Sequence, residues 1–393
     1  MTRSPSLAFL LLLFVGTVCN SMAVSFMGYY IVQDLGRAPS SISLYTGVFA
    51  LVVILSNRVI ARRLDAGGNP FAMIGLAAIG FSAASCALSL SPGFLTVATA
   101  GVIGFGIGSS AMATMFSLGA VLADRTGTPR GTFNAYMRAT TSTSWMVGPA
   151  LCYGIADRFG GAAVFQTAFA TSLLWLAVWW WTTPRDAAVS PSPPSRSETS
   201  APKRNPGLRA AVLFVFCLAM AHSLTFTALP VFFVQDVGLP GYAPGMAFSL
   251  KTFVELFAIF TTPFLIRTFG LRVSLMGTTQ IAIAAILVLA TVQSIPHMLF
   301  GAALEGLYFG LFSTLAISFV QSLSADRPAH ATALYWNTMM LTLMVAGPTA
   351  GLVAEATDFR TVVFTGCAFA VAAALILGLD TYQLKRRRVG DAK

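Results

Sequence analysis

Twelve apolar runs, most about 20 residues or longer, limit this chain more than any other feature. About 20 apolar residues in a helix cross the hydrocarbon core of a bilayer. In lipid every backbone N–H and C=O needs an internal partner, so such runs are helices. They lie at 7–32, 41–61, 71–90, 93–119, 132–156, 161–183, 208–233, 243–266, 272–292, 297–322, 331–354 and 361–383. The first begins like a signal peptide, with Arg3 before Leu7–Val18, and Val15-Gly-Thr-Val-Cys19 resembles a lipoprotein cleavage site. Its apolar character continues to Val32, beyond a signal h-region, so it reads as a span. The expected fold class is an all-α integral membrane protein with twelve transmembrane helices.

The composition fits that class and excludes others. Only 10% of the 393 residues are charged, against about 25% in ordinary globular domains. The net charge of +10 is no nucleic-acid footprint, because Lys and Arg sit in short loops rather than on one face. Cys19, Cys86, Cys152, Cys217 and Cys367 all fall inside apolar runs without paired spacing, so neither a metal site nor a disulfide framework is indicated. No metal-ligand cluster, nucleophile motif or nucleotide loop stands out, and neither catalysis nor a cofactor is expected. Gly104-Phe-Gly-Ile-Gly108 lies mid-run with no preceding strand and is no dinucleotide fingerprint.

The chain divides and repeats. Residues 184–206, rich in Pro, Ser and charge, cannot bury enough surface to fold and read as a flexible tether. The expected organisation is a six-helix bundle over 1–183, the linker 184–206, a second bundle over 207–384 and a basic tail over 385–393. Val32-Gln-Asp-Leu-Gly36 returns as Val234-Gln-Asp-Val-Gly238, and Ala123-Asp-Arg125 as Ala325-Asp-Arg327, both 202 residues later. Gly148-Pro149 and Tyr136 return as Gly347-Pro348 and Tyr335, 199 residues later. Parallel repeats about an axis along the membrane normal are a transporter architecture. With the N-terminus cytoplasmic, nineteen Lys and Arg lie inside and only Arg37, Arg158 and Arg360 outside. The positive-inside rule therefore puts both termini in the cytoplasm.

Twelve spans, a six-plus-six repeat and a basic central loop resemble the major facilitator superfamily. Ala61-Arg-Arg-Leu-Asp65-Ala-Gly-Gly68-Asn-Pro70 is similar to its Gly-x-x-x-Asp-Arg-x-Gly-Arg-Arg loop, keeping Asp65 and Gly68 but not the trailing basic residues. In the second half Arg267 and Gly270 sit 202 residues beyond that pair. The resemblance implies that this loop latches the cytoplasmic helix ends. Trp145-Met-Val-Gly148-Pro149 resembles the Gly-Pro element of efflux-type members, where Pro frees a carbonyl and Gly permits close packing; an ordinary kink is the other reading.

Further stretches are similar to the bacterial sugar efflux transporters of the SET type. They are Met115-Phe-Ser-Leu…Ala123-Asp-Arg-Thr-Gly127, Tyr136-Met-Arg138-Ala and Leu334-Tyr-Trp-Asn-Thr338…Ala350-Gly-Leu-Val-Ala-Glu355. That resemblance implies the major facilitator fold of two pseudo-symmetric bundles and proton-driven export of a sugar or glycoside across a bacterial inner membrane. It matches Arg138, Glu255 and Asn337 to family positions, whereas Glu305 and His222 stand where a relative carries Asn.

An ionisable side chain at membrane depth costs about 2.5–3.5 kcal/mol on insertion scales. Arg138, Lys251, Glu255 and Glu305 lie that deep, with His222, Asn20 and Asn337 as further polar groups. All fall on spans 1, 5, 7, 8, 10 and 11, and the superfamily resemblance places these at or beside a central cavity. The expected substrate contacts are Asn20, Arg138, His222, Glu305, Tyr335 and Asn337. The expected proton-coupling residues are Glu255, Glu305 and Lys251, and the gating residues Asp65, Gly68, Gly148 and Pro149. Lys251 and Glu255, four apart, share a helix face and can pair, while Arg138 can compete for Glu255. Tyr136, Tyr335 and Trp336 can stack on a sugar or simply pack. Gly101, Gly104 and Gly108, with Gly306 and Gly310, have the small-xxx-small spacing that lets helices approach. The expected partners are a sugar, glycoside or amphipathic compound, protons and the lipid bilayer, with the chain a monomer. A multidrug antiporter is the alternative within this class, and a non-transporting sensor or lipid flippase the alternative outside it.

Overall fold

The structure, a computed structural model, describes residues 5–185, 206–324 and 328–390. The described elements are all helical. They are α1 (Pro5–Tyr29), α2 (Ser40–Asp65), α3 (Pro70–Leu90), α4 (Phe94–Thr126, in several pieces), α5 (Arg130–Phe159) and α6 (Gly161–Thr182). After them come α7 (Pro206–Val231), α8 (Ala243–Phe269), α9 (Leu271–Ala290), α10 (Ile295–Ser322), α11 (Pro328–Ala356) and α12 (Phe359–Gly390). Each apolar run has become one helix. Eleven are long and apolar enough to cross a membrane. The other is α5, 30 residues long, whose first half is diluted by Arg138 and the hydroxyl-bearing stretch from Thr140 to Ser144. The expected linker lies almost wholly outside the described residues, as do the Ala325-Asp-Arg327 copy and the side chains of the basic tail.

The sequence repeat is also a repeat of backbone geometry. α1 and α7 each end in one wide turn, Tyr30–Asp34 and Phe232–Asp236. Leu35 N–H donates to the Tyr30 carbonyl at 3.0 Å and Arg37 N–H to that of Ile31 at 3.1 Å. The same bonds recur 202 residues later, Val237 to Phe232 at 3.1 Å and Leu239 to Phe233 at 2.9 Å. Gly36 and Gly238 take φ of +57° and +76°, the left-handed region that glycine enters without steric cost. The Val-Gln-Asp-x-Gly motif is thus a helix-ending device used twice.

The chain clusters into two units, one of Met1–Glu198 with Pro240–Ser249 and one of Thr199–Leu239 with Leu250–Lys393. In the first, α1 packs on α5 and α6, α3 on α4 and α6, and α2 on α4. In the second, α7 packs on α11 and α12, and α9 on α10 and α12. Small residues set the approaches. Gly104 lies against the Gly80 carbonyl, where a Cβ would sit 2.6 Å from Ala84 Cβ, and Gly108 faces Phe81 at 3.1 Å. Gly101 has more room, its nearest neighbours standing 3.6 Å from a Cβ.

Candidate functional site

In the first unit the two polar groups expected at membrane depth, Asn20 and Arg138, differ in setting. Asn20, 8% exposed, donates to the Gly16 carbonyl at 2.9 Å and accepts from the Ser109 hydroxyl at 3.4 Å. Arg138 and Tyr136 are exposed on α5. A cavity of about 590 Å³ opens between α1 and α5, walled by Leu7, Ala8, Leu10, Leu11 and Phe14 and by Ala139, Thr140 and Thr143. Both threonines already donate to carbonyls of their own helix, at 2.8 and 2.9 Å, so the cavity offers apolar contact and weak acceptors. None of the residues expected to bind substrate lines it.

The Gly148-Pro149 element is a packing seat. A Cβ on Gly148 would overlap the Ser21 hydroxyl of α1, and Ser21 donates to the Ser144 carbonyl at 3.2 Å. The first turns of α8, which cluster with this unit, rest on the same stretch of α5. A Cβ on Gly245 would sit 2.9 Å from the Pro149 carbonyl, and Ser249 donates to the Met146 carbonyl at 2.7 Å.

The loop between α2 and α3 is built for capping. Asp65 is exposed and makes no ion pair among the described residues. The positive φ, +82°, belongs to Gly67, while Gly68 donates to the Arg63 carbonyl at 2.8 Å and has no room for a Cβ. Asn69 and Pro70, standing where the family pattern has basic residues, form a helix start. Asn69 Oδ1 accepts from Phe71 N–H at 2.8 Å and Pro70 takes the first helical position, where its missing N–H costs nothing. The Asn69 amide also donates to the Arg185 carbonyl at 2.8 Å, and the Arg185 guanidinium lies 4.4 Å from the Trp180 ring. In the second unit one residue, Gly270 at φ +79°, turns the chain from Phe269 to Leu271.

The second unit gathers titratable groups. His222 stands 202 residues after Asn20, at the equivalent place on α7, yet its surroundings differ. Its Nδ1 lies 3.2 Å from Glu305 Oε1 and 3.5 Å from the Tyr308 hydroxyl. Its ring stacks on Phe309, centroids 3.7 Å apart and planes 25° apart. Lys251 Nζ stands 4.6 Å from the centre of that Phe309 ring and 3.7 Å from Glu255 Oε2. Lys251 and Glu305 are 6% and 2% exposed.

Glycine makes this gathering possible. A Cβ on Gly306 would overlap the Lys251 carbonyl, and one on Gly310 would sit 2.6 Å from that of Glu255. The α8 and α10 backbones therefore touch, and one turn further Thr262 and Thr314 meet hydroxyl to hydroxyl at 3.3 Å. Four residues picked from the sequence, His222, Lys251, Glu255 and Glu305, thus share one site. Phe309 and Tyr308 were missed, because an aromatic in an apolar run carries no signal until its neighbours are known. Glu305 Oε1 is buried with no other polar partner, and His222 Nδ1 lies 3.2 Å away.

Two expected contacts differ in setting. Tyr335 is 5% exposed and its hydroxyl lies 3.4 Å from the Ser313 carbonyl on α10, while Asn337 is exposed on α11. Among the described residues no group of three or more His, Cys, Asp or Glu could hold a metal ion.

Comparison with known proteins bears on this arrangement. The chain is 24% identical over 360 residues to sugar efflux transporter B of Salmonella typhimurium, covering 91% of both proteins. It is 24% identical over 385 residues to sugar efflux transporter A of Dickeya chrysanthemi, covering 95% of this chain and 93% of that one. Among solved structures, the nucleoside transporter NupG superposes with a TM-score of 0.78 at 14% identity, over 96% of this chain and 99% of that one. A bacterial homologue of the human lysosomal transporter Spinster does so with a TM-score of 0.72 at 14% identity, over 97% and 98%. A family model described as the Major Facilitator Superfamily matches residues 9–265. With that match over more than half its length, the chain belongs to the Major Facilitator Superfamily and is a multi-pass membrane transporter of a small molecule, not an enzyme.

Proposed function

We propose that this chain is a proton-coupled exporter of sugars or glycosides in a bacterial inner membrane, working by alternating access. The observation that carries the reading is the group of His222, Lys251, Glu255 and Glu305, in which Lys251 and Glu305 are buried. With Lys251 and both carboxylates charged and His222 neutral, these four side chains carry a net negative charge, and charge at that depth is expensive. One proton shared by His222 and Glu305 removes the cost, and losing it restores the charge, which is the switch a coupled transporter needs. Glu305 is the proton carrier, because Glu255 already has an ammonium beside it. Arg138 in the first unit and Asn337 in the second are each exposed and rich in hydrogen-bonding atoms and suit sugar hydroxyls, whereas Asn20 and Tyr335 are already bonded internally. The names of the curated relatives support a sugar as cargo.

Proteoliposomes with an imposed pH gradient, tested against a sugar panel, examine this directly. Glu305→Gln mimics the protonated state and is expected to abolish uphill export while leaving substrate exchange measurable. Uphill export by Glu255→Gln/Glu305→Gln together would refute the assignment. The apolar cavity between α1 and α5 favours a second reading, an amphipathic or multidrug substrate. Drug export without sugar transport in the same vesicles would select it.

A further inference from the structure

Glu305 is nearly closed off, its side chain 3% exposed, while the His222 side chain against it is 12% exposed. Three contacts fix how the imidazole sits. Phe309 holds its face, and Glu305 and the Tyr308 hydroxyl both approach Nδ1. Nε2, on the far side of the ring, has no hydrogen bond among the described residues, yet it is absent from the buried polar atoms that lack a partner. It is therefore reachable, whereas Glu305 Oε1 is not. Among the described residues, Lys251 on α8, with Glu255 paired to it, and Glu305 and Tyr308 on α10 are the titratable groups around the ring. α11 and α12, which also pack on α7, carry no charged residue over 331–354 or 361–379.

We propose that His222 is the relay through which protons reach and leave Glu305, an inference resting on the proton-coupled reading above. A proton binds Nε2, giving an imidazolium. The Nδ1–H bond then breaks as an O–H bond forms on Oε1, leaving the ring neutral with its hydrogen on Nε2. Release runs backwards. The O–H bond breaks, Nδ1–H forms, Nε2–H breaks, and the ring regains its starting tautomer. Each loading and release therefore leaves the imidazole unchanged. Phe309 acts as a positioning residue that keeps Nδ1 on the carboxylate.

Proton uptake by the purified full-length protein in detergent, followed with a pH-indicator dye after a stopped-flow pH jump, tests the relay. A side chain that cannot pass a proton should slow uptake roughly tenfold or more, so His222→Gln is expected to be slow. His222→Ala leaves a space for free imidazole, and millimolar imidazole is expected to restore its uptake rate. Glu305→Gln is expected to lose the uptake itself, with no rescue. Fast uptake by His222→Gln, or no acceleration of His222→Ala by imidazole, would overturn the relay. If fast uptake accompanies uphill export blocked by Glu305→Gln, the relay alone fails. If the unaltered protein moves substrate with no response to a pH gradient, the coupled reading fails and takes the relay with it.

Discussion

Protonation chemistry can silence Lys251, His222 and both glutamates, but it cannot silence Arg138, whose guanidinium stays charged at every working pH. It stands exposed on the polar first half of α5, and the proposed role for it is to hold the sugar. Arg138→Ala is expected to eliminate transport while the protein still inserts, since a small apolar residue is cheaper in a membrane. Arg138→Lys keeps the charge but loses the planar fork that grips two neighbouring hydroxyls. It is expected to weaken substrate affinity by about tenfold or more, the cost of one charge-assisted hydrogen bond, with the pH dependence of transport unchanged. Near-normal transport by Arg138→Ala would remove the residue from the site. At this scale the sequence was informative about which side chains matter and silent about their pairing. Lys251 and Glu255 could be paired because four residues is one helical turn. His222 and Glu305 are 83 residues apart, and no local rule joins α7 to α10.

Between helices, glycine decides what meets. Gly306→Ala would drive a methyl group into the Lys251 carbonyl, and a carbonyl belonging to a packed helix cannot swing aside. Overpacking of this kind costs about 1–3 kcal/mol and pushes Lys251 and Glu255 away from Phe309 and Glu305. The expected result is a lower melting temperature in detergent together with uncoupled transport. Gly277→Ala is the control. A Cβ there meets nothing within 4 Å, so removing a flexible residue from α9 should be neutral or stabilising by up to about 1 kcal/mol. Equal effects from the two substitutions would contradict the account of the α8–α10 seam. A gentler test lies at the start of α12, where Asp358 accepts from Thr361 N–H at 2.6 Å. Hydrogen bonds from Thr361, its hydroxyl first, hold this carboxyl below the usual range. A depressed carboxylate stabilises the fold above its unfolded value near 3.9 and loses that contribution as pH falls through the folded value. Asp358→Asn is expected to flatten this acid limb slightly, with most of the effect screened by solvent. The spacing of Gly306 and Gly310 was visible in the sequence, but which helix they would admit was not. The departure at Asn69-Pro70 is a helix cap, which the residues alone do not reveal because capping is a property of the φ,ψ path as well as of residue type.

For the molecule as a whole, two signals were legible because the bilayer writes them plainly. Apolar length fixed the helices, with boundaries that moved mainly where polar helix ends extend past the hydrocarbon, as at Phe94–Thr126 and Phe359–Gly390. The 202-residue offset revealed the repeat, and the identical wide turns closing α1 and α7 give it a physical basis. α5 was legible only by its neighbours, since its hydroxyl-rich half falls short on apolar character alone. The third signal, charge, predicts orientation and can be tested with described residues. Ala38 is exposed in the turn after Gly36, and Ala66 is exposed in the loop after Asp65. One helix, α2, separates them, so they lie on opposite faces of the membrane. Arg58, Arg62 and Arg63 crowd the Ala66 end of α2, against Arg37 alone at the other. Cysteines placed singly at the two positions, in a background with Cys86 replaced by Ser, should therefore differ. The other four native cysteines are buried and should contribute little labelling. An impermeant maleimide applied to intact cells is expected to label Ala38→Cys and spare Ala66→Cys until the membrane is permeabilised. The reverse pattern would invert the topology and turn nineteen basic residues outward, which the cost of translocating clustered Arg and Lys opposes.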